Sequence, residues 1–368
     1  MKILLLENGK NKKTGYKSSN NLIMEKKMAL DILIFETKSM ERKILEKKNI
    51  EGYNFIFYEQ ALNDEFIDTI SDKILEDTII LSIEKNSFIT KNILDKFKNL
   101  RVISVRTTNY DNISLNECCE KNIAVVNTVH DDGQSAAQYT IGLIISLVRK
   151  IKTAASVTRF TEDFNEDYIG TDLSKMTLGL VGTDFVGMKV CEYAKAFGLN
   201  IIASDSKPKQ QLKDKYGVNY MPLDELAKNS DIISVHLNYT PENFHVFDEE
   251  FFLHCKDNFY FVSIAQAELI EFDALDKYLS NGKIKGLALD IVPCEDSCKS
   301  CKQLSEHIMT RLECFEHTNY IEKFRQYPNV IITPRIASMT NEYIDTTLNQ
   351  NIINIKEALN GEKMCRIV

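Results

Sequence analysis

Two stretches of the chain carry residue types whose spacing could do chemistry. The first is the turn GTDFVG at residues 182–187, a near match to the G-x-G-x-x-G fingerprint of dinucleotide-binding proteins. The second is a short segment rich in thiols, with Cys294, Cys298, Cys301 and Cys314. The turn predicts a phosphate-binding site. The cysteines raise the alternative of a metal or iron–sulfur site.

Three features around the turn have separate jobs in such a motif. Gly182 allows a sharp turn, and Gly187 lets the following helix pack close to the sheet. The helix N-terminus offers backbone N–H groups to a pyrophosphate. Asp205, at the end of the next strand, can accept hydrogen bonds from ribose hydroxyls and would repel a 2′-phosphate, which favours NAD over NADP. Alternatively, Asp205 caps a helix that begins near Pro208.

The middle glycine of the fingerprint is replaced by Asp184. A glycine there lets the backbone approach the pyrophosphate, whereas aspartate adds a Cβ atom and a negative charge. At ~5 Å and an effective dielectric constant near 20, that repulsion is on the order of 3 kcal/mol for each charge pair. The turn therefore predicts the fold more strongly than it predicts NAD binding.

The cysteine spacing C-x-x-x-C-x-x-C, from Cys294 to Cys301, allows several sulfurs to converge on one ion. Cys314 follows, with His307 and His317 nearby. The alternative is a loop that carries free thiols in a reducing cytosol. The remaining thiols singled out lie on predicted helices and are expected to be packing residues: Cys118, Cys119 and Cys191.

Predicted strands and helices alternate along the chain, and they must position these residues. Short apolar runs predict strands, and segments with apolar residues at helical spacing follow them. This alternation predicts an α/β fold with a doubly wound parallel sheet. The predicted strands are 31–36, 54–59, 78–83, 101–105, 123–127, 177–181, 200–203, 231–237, 259–264, 286–292 and 329–333. The predicted helices include 40–48, 64–75, 90–97, 115–121, 133–150, 186–197 and 341–359, the last with Thr340 as its N-cap.

Composition narrows the class of protein. The 368 residues are 44% hydrophobic and 27% charged, as expected for a globular protein of two domains. A net charge of −8 argues against nucleic acid or an anionic membrane as a general partner. The longest apolar run is too short to span a bilayer, and the polar N-terminus lacks a signal-peptide pattern, so a cytoplasmic location is expected.

Several separate motifs, in order, give the chain a family resemblance. It resembles the D-2-hydroxyacid dehydrogenases, especially their D-lactate dehydrogenase-like branch. Besides the turn at 182–187, the similarity lies in RTTNYDNIS (106–114), LNYTPENFHVF (237–247), FVSIAQAELI (261–270), GLALDIVPCE (286–295) and PNVIITPRIASMTNEY (328–343).

The resemblance implies two doubly wound parallel-sheet domains. A Rossmann-type dinucleotide-binding domain, 128–336, is inserted into a split flavodoxin-like substrate domain, 28–127 plus 337–368. Residues 1–27 form an N-terminal extension, and 294–325 a cysteine-rich insertion. The resemblance also implies NAD as cofactor, a small anionic 2-oxoacid-like ligand, and a homodimer with the helix at 133–150 in its interface.

The resemblance further implies three catalytic side chains. An arginine binds the substrate carboxylate, a histidine transfers the hydroxyl proton, and a glutamate orients the histidine. In this chain the three positions hold Gln266, Arg335 and Glu295, so that only the glutamate matches. Gln266 brings no charge, and Arg335 cannot act as a general acid near neutral pH. His236 is the nearest other histidine and is expected to be structural.

Three hypotheses follow from these substitutions. Ordinary dehydrogenase activity is lost or strongly altered, and Arg335 and Glu295 simply form an ion pair. Alternatively, the protein is an active NAD-dependent oxidoreductase with a repurposed site, in which Arg335 holds an anionic group and Glu295 or water handles protons. In the third, the protein binds a metal or an iron–sulfur cluster through its cysteine-rich loop.

Overall fold

The computed structural model describes residues 30–48, 52–107, 110–128, 133–157, 166–291 and 319–361. The first five strands form one parallel sheet in the order β2-β1-β3-β4-β5, the flavodoxin-like order. Their bounds are β1 Leu30–Ile34, β2 Tyr53–Phe57, β3 Thr78–Ile83, β4 Val102–Val105 and β5 Ala124–Asn127. The side chains of β4 and β5 are buried throughout, because helices cover both faces of the sheet.

Helices from distant parts of the chain cover this first sheet. One face packs against α2 (Asp72–Asp77), α3 (Lys91–Lys96) and α4 (Leu115–Glu120). The other packs against α1 (Ser39–Lys48) and the C-terminal helix (Asn341–Leu359). In the C-terminal helix, Leu348 and Ile355 join the cluster formed by Ile32 and Ile34 of β1. The last helix is therefore part of the first sheet's core.

Buried amides fix the position of the C-terminal helix. The Asn351 amide donates to the hydroxyls of Ser104 (2.7 Å) and Thr128 (3.0 Å). The Asn354 amide donates to the backbone carbonyl of Asn127 at 2.9 Å. Because a buried amide without partners would be costly, these bonds select one register of the helix on the sheet. The helix begins after Thr340, whose hydroxyl accepts from the Tyr343 N–H as the sequence predicts.

The next seven strands form a second parallel sheet in the order β12-β11-β10-β9-β6-β7-β8. Reading outward from β6 in both directions gives the doubly wound Rossmann order. The bounds are β6 Thr177–Val181, β7 Asn200–Ser204, β8 Asn219–Tyr220, β9 Ile232–Val235, β10 Phe259–Ser263, β11 Ile284–Asp290 and β12 Val330–Thr333. The predicted fold class is confirmed, whereas the domain limits remain a prediction.

Two helical layers enclose the second sheet. One contains α5 (Gln134–Val148), α7 (Phe185–Ala196) and α8 (Gln210–Tyr216), and α6 (Ile151–Val157) follows α5 directly. The other contains α9 (Leu223–Asn229), α10 (Glu249–His254) and α11 (Phe272–Ser280). Within the described residues, no helix has both the length and the apolar character needed to cross a membrane.

Two predicted helices differ from the observed ones. The helix predicted at 64–75 is a 3₁₀ turn, Ile67–Thr69, followed by α2. Ile70 and Ser71 have extended backbone, which interrupts the α-helical hydrogen bonds. The helix predicted at 133–150 ends at Val148, and α6 starts as a separate helix. Lys150 lies between them with φ of +54°, a left-handed conformation that no α-helix can continue through.

Candidate functional site

The turn after β6 is shaped by two glycines. Gly182 has φ of +90°, and a Cβ atom built on it would lie 2.9 Å from the backbone carbonyl of His236. A Cβ atom on Gly187 would lie 2.2 Å from the carbonyl oxygen of Gly182. Both positions therefore lack the space that any larger side chain needs. The first turn of α7 is thereby brought against the end of β6, at the place where the strand order of the sheet reverses.

Asp205 follows β7 and is hydrogen-bonded to this turn. One carboxylate oxygen accepts from the Thr183 N–H (2.6 Å) and the Thr183 hydroxyl (2.7 Å), and the other accepts from the Lys207 N–H (2.7 Å). Burial by itself would raise the pKa of the Asp205 carboxyl, but the hydrogen bonds from Lys207 and Thr183 lower it. The next helix begins at Gln210, with Lys209 at its N-cap, so the alternative that Asp205 caps this helix is wrong.

A short chain of hydrogen bonds holds this arrangement in place. The Tyr220 hydroxyl donates to the Thr183 hydroxyl at 3.0 Å, which in turn donates to Asp205. The Lys209 N–H donates to the Tyr220 hydroxyl at 3.1 Å. The strand β8, which carries Tyr220, therefore fixes both the turn and the segment after β7. The Asp205 carboxylate is held in one orientation at the sheet edge.

Asp184 occupies the N-cap position of α7, yet it does not act as a cap. Within the described residues, its carboxylate makes no capping hydrogen bond to that helix. Instead, a carboxylate oxygen lies 2.7 Å from the Lys209 ammonium nitrogen. The hydrogen bond to Asp184 raises the pKa of Lys209, so the ammonium is charged at neutral pH. Lys209 is a site residue that the sequence analysis missed, and its only signal was a lysine four positions after Asp205.

Gln266 lies just after β10 and is hydrogen-bonded to the neighbouring loop. Its side-chain carbonyl accepts from the Tyr239 N–H at 3.0 Å. The Tyr239 loop follows β9 and is closed by a capping box between Thr240 and Asn243. An arginine at position 266 could not accept this hydrogen bond, because a guanidinium has only donors. The contact is therefore one that glutamine can make and arginine cannot.

Arg335 lies in the loop after β12, which Asp290 of β11 holds. Asp290 is only 2% exposed, and its carboxylate accepts from the Thr333 hydroxyl (2.6 Å) and from the backbone N–H groups of Ile336 (2.9 Å) and Ala337 (2.7 Å). Arg335 itself is exposed, with φ of +54°. Asp290 thus holds a side chain before Arg335 and the backbone after it. Glu295, its predicted partner, lies outside the described residues.

His236 directly follows β9 and is half-buried. Its ring Nε2 atom lies 2.8 Å from the Ser234 hydroxyl oxygen, and its buried Nδ1 atom has no hydrogen-bond partner in the described part of the chain. Burial lowers the pKa of the imidazole to about 3. The ring is therefore neutral at neutral pH, in keeping with the structural role predicted for it.

The cysteines with a predicted metal role, Cys294, Cys298, Cys301 and Cys314, lie outside the described residues. Among the residues that are described, no group of three or more histidine, cysteine, aspartate or glutamate side chains could hold a metal ion. Cys118 and Cys191 are buried packing residues, as predicted, and burial raises the pKa of each thiol to about 11. Cys119 is exposed, which corrects the prediction that it packs inside.

These residues share one edge of the second sheet, at the carboxyl ends of its strands. Arg335, Gln266, His236, Gly182 and Asp205 follow β12, β10, β9, β6 and β7. Ligands of doubly wound folds bind along such an edge. The residues present fit a dinucleotide, because the close approach at Gly187 presents the N-terminus of α7, and Asp205 is held at the end of β7, where a carboxylate can accept hydrogen bonds from a ribose.

Comparison with known proteins supports this assignment. The family model for the NAD binding domain of D-isomer specific 2-hydroxyacid dehydrogenases matches residues 141–337, more than half of the chain. A 2-hydroxyacid dehydrogenase homolog from Haemophilus influenzae is 29% identical over 91% of this chain and 98% of its own length. An aromatic 2-oxoacid reductase from Clostridium sporogenes is 29% identical over 75% of this chain and 82% of its own.

Solved structures share the whole architecture. D-lactate dehydrogenase from Aquifex aeolicus, in complex with NAD and lactic acid, is 27% identical and superposes with a TM-score of 0.71 over 90% of this chain and 96% of its own. D-lactate dehydrogenase from Escherichia coli, at 24% identity, has the same fold, with a TM-score of 0.77 over 92% of this chain and 100% of its own. The chain belongs to the D-isomer specific 2-hydroxyacid dehydrogenase family.

Proposed function

We propose that this protein is a NAD(H)-binding member of its family in which ordinary 2-hydroxyacid dehydrogenase activity is lost or strongly altered. The N-terminus of α7 and the turn at Gly182 would hold the pyrophosphate, and Asp205 would hold the adenosine ribose. When bound, NAD supplies a hydride acceptor, and NADH a hydride donor. The Asp205 carboxylate, already oriented by Thr183 and Lys207, supports NAD over NADP.

The observation that carries the proposal is the hydrogen bond from the Tyr239 N–H to Gln266. At this position the family uses an arginine to bind the substrate carboxylate, and a bidentate arginine–carboxylate pair provides both orientation and binding energy. Here the side chain is uncharged, and its carbonyl already stabilises a loop of the protein. A 2-oxoacid would therefore lose its main anchor.

Arg335 removes a second function, that of the proton donor. A guanidinium stays protonated at any physiological pH, so it can neither give nor take the proton of the substrate hydroxyl. His236, at the same sheet edge, does not replace it, because its imidazole is neutral and its Nε2 atom is hydrogen-bonded to Ser234. Proton transfer by a positioned side chain typically contributes about 10²- to 10⁴-fold to a rate, which is the loss expected here.

One observation favours a second candidate function, an active oxidoreductase with a repurposed site. Arg335 is an exposed cation at the ligand-binding edge, on a loop that Asp290 holds through three hydrogen bonds, two of them from backbone N–H groups. A cation held in this way would suit the carboxylate of a 2-oxoacid that binds in a different orientation. In this alternative, Glu295 or water handles the proton.

The test is calorimetric titration of the purified protein with NADH, followed by NADH oxidation with a panel of aliphatic and aromatic 2-oxoacids. We expect NADH to bind with micromolar affinity and turnover to be at least about 10²-fold below that of an authentic D-lactate dehydrogenase assayed in parallel. Turnover comparable to that enzyme would support the repurposed site instead. No binding up to millimolar NADH would contradict both candidates.

The third hypothesis, a metal or iron–sulfur site at Cys294, Cys298, Cys301 and Cys314, stays a proposal based on sequence alone. Iron and zinc analysis after anaerobic purification tests it directly. A stoichiometric metal that is lost in the Cys298→Ser/Cys301→Ser variant would support the site. Metal content far below one ion per chain would contradict it.

A further inference from the structure

The aspartate in the phosphate-binding turn poses two separate problems for a dinucleotide. Its charge opposes a pyrophosphate at the N-terminus of α7. In addition, aspartate is one of the preferred N-cap residues, so a free Asp184 carboxylate can itself accept hydrogen bonds from the first N–H groups of the helix. Those are the N–H groups that a pyrophosphate needs. An unrestrained Asp184 would therefore compete with the cofactor.

The structure shows the carboxylate in a different place. Asp184 pairs with the Lys209 ammonium at 2.7 Å and, in the described part of the chain, makes no capping hydrogen bond to α7. Lys209 is itself well positioned, because its N–H donates to the Tyr220 hydroxyl at 3.1 Å. Its backbone thus belongs to the same hydrogen-bonded chain that orients Asp205. The pair formed by Asp184 and Lys209 carries no net charge. In this respect it resembles the uncharged glycine that the fingerprint normally has.

We propose that Lys209 is a positioning residue for the dinucleotide pyrophosphate, which acts by holding the Asp184 carboxylate away from the N-terminus of α7 and by balancing its charge. The inference rests on the proposed NAD(H) binding and extends it to a residue outside the fingerprint. It treats Asp184 and Lys209 as a pair that replaces one glycine. In this arrangement the N–H groups at the N-terminus of α7 stay available to a pyrophosphate.

The test is a double-mutant cycle on NADH affinity, measured by calorimetry with Lys209→Met, Asp184→Gly and the combined variant. We expect Lys209→Met to raise the Kd for NADH about tenfold, because it leaves an unpaired carboxylate beside the phosphates. The loss should be smaller at high salt, which screens the exposed charge. In the combined variant, the affinity should return to that of Asp184→Gly, since no carboxylate remains to be restrained.

Two further variants separate positioning from general effects of charge or folding. Lys209→Arg keeps the ion pair and should bind NADH like the unmodified protein. Lys228→Met removes an exposed lysine that pairs with Glu225 on α9, and it should leave the affinity unchanged. Urea unfolding without NADH verifies that each variant is folded. The inference is overturned if Lys209→Met binds as well as the unmodified protein, or if the combined variant binds as poorly as Lys209→Met.

The outcomes also separate this inference from the proposed function. If the unmodified protein binds NADH and Lys209→Met does not change the affinity, only the inference is overturned. Binding by Asp184→Gly but not by the unmodified protein would mean that Lys209 does not compensate for Asp184, which also overturns it. Absence of binding in both proteins would overturn the proposed NAD(H) binding itself.

Discussion

The two halves of the ligand-binding edge have accommodated altered residues in different ways. Around β6 and β7, the carboxylate of the unusual Asp184 pairs with the Lys209 ammonium. The turn after β6 and the first turn of α7, which would contact a dinucleotide, are closely packed. Around β10 and β12, Gln266 has become part of the protein's own loop structure, and Arg335 lies on a loop that is stabilised by Asp290. The difference suggests a physical criterion. We propose that a substitution paired with a compensating charge is compatible with ligand binding, whereas one whose side chain is taken up by internal hydrogen bonds changes what the site can bind.

The largest effect is expected from introducing at positions 266 and 335 the two residues that the family resemblance implies. Gln266→Arg with Arg335→His should raise NADH-dependent reduction of pyruvate-like 2-oxoacids by about 10²-fold or more, because it restores a carboxylate anchor and a proton donor. Steady-state kinetics measures the gain, and Gln266→Arg alone is the control, because it restores the carboxylate anchor without a proton donor. Adding Asp184→Gly should increase kcat little, since Lys209 already compensates for Asp184. If the folded triple variant shows no gain in activity, the assignment of these positions to the family's catalytic residues is contradicted.

A smaller effect, on stability, tests how strictly the half around β6 and β7 depends on close packing. Gly187→Ala should lower the free energy of unfolding by on the order of 3 kcal/mol, because the new Cβ atom would lie 2.2 Å from the Gly182 carbonyl oxygen. Gly142→Ala is a matched control in α5, where a Cβ atom meets nothing within 4 Å. It should stabilise the helix by about 0.5 to 1 kcal/mol. Equal urea midpoints for the two variants would contradict the packing argument.

The smallest effect concerns His236, which lies between the two halves. Burial lowers its pKa to about 3 in the folded protein, below the value of about 6.5 in an unfolded chain. The unfolded state therefore binds more protons between these values. The contribution of the neutral ring to the free energy of unfolding is fully present above about pH 6.5. It falls, by at most about 1.4 kcal/mol for each pH unit, as the pH decreases toward 3. In His236→Gln, the free energy of unfolding should change less between pH 7 and pH 5. Parallel pH profiles would contradict the assignment.

The strands were the most predictable part of the fold. Those of a buried parallel sheet appear in the sequence as continuous apolar runs, and the predicted run 78–83 coincides with β3. The helix predicted at 64–75 failed because its apolar spacing also fits a 3₁₀ turn followed by a short helix. Gly182, Gly187 and Asp205 were predicted as site residues since their motif is local in sequence.

The contacts that decide the site's properties were not predictable. Lys209 is 25 residues from Asp184, and their pairing depends on how β7 and β8 place the segment between them. The contact between Gln266 and the Tyr239 N–H likewise joins loops after two different strands. Neither pair has a spacing that signals a contact, because both are products of the sheet order rather than of the local chain.

The position of the C-terminal helix has a consequence for synthesis on the ribosome. The apolar face formed by Ile32, Ile34 and Val102 is covered in part by Leu45 of α1 and in part by Leu348 and Ile355 of the C-terminal helix. While the ribosome makes the second sheet, the first sheet has emerged without the helix that covers the rest of this face. Nascent chains with exposed apolar surface are prone to aggregate and are typical clients of chaperones. The five-stranded sheet must therefore wait for most of translation before it can reach its final stability.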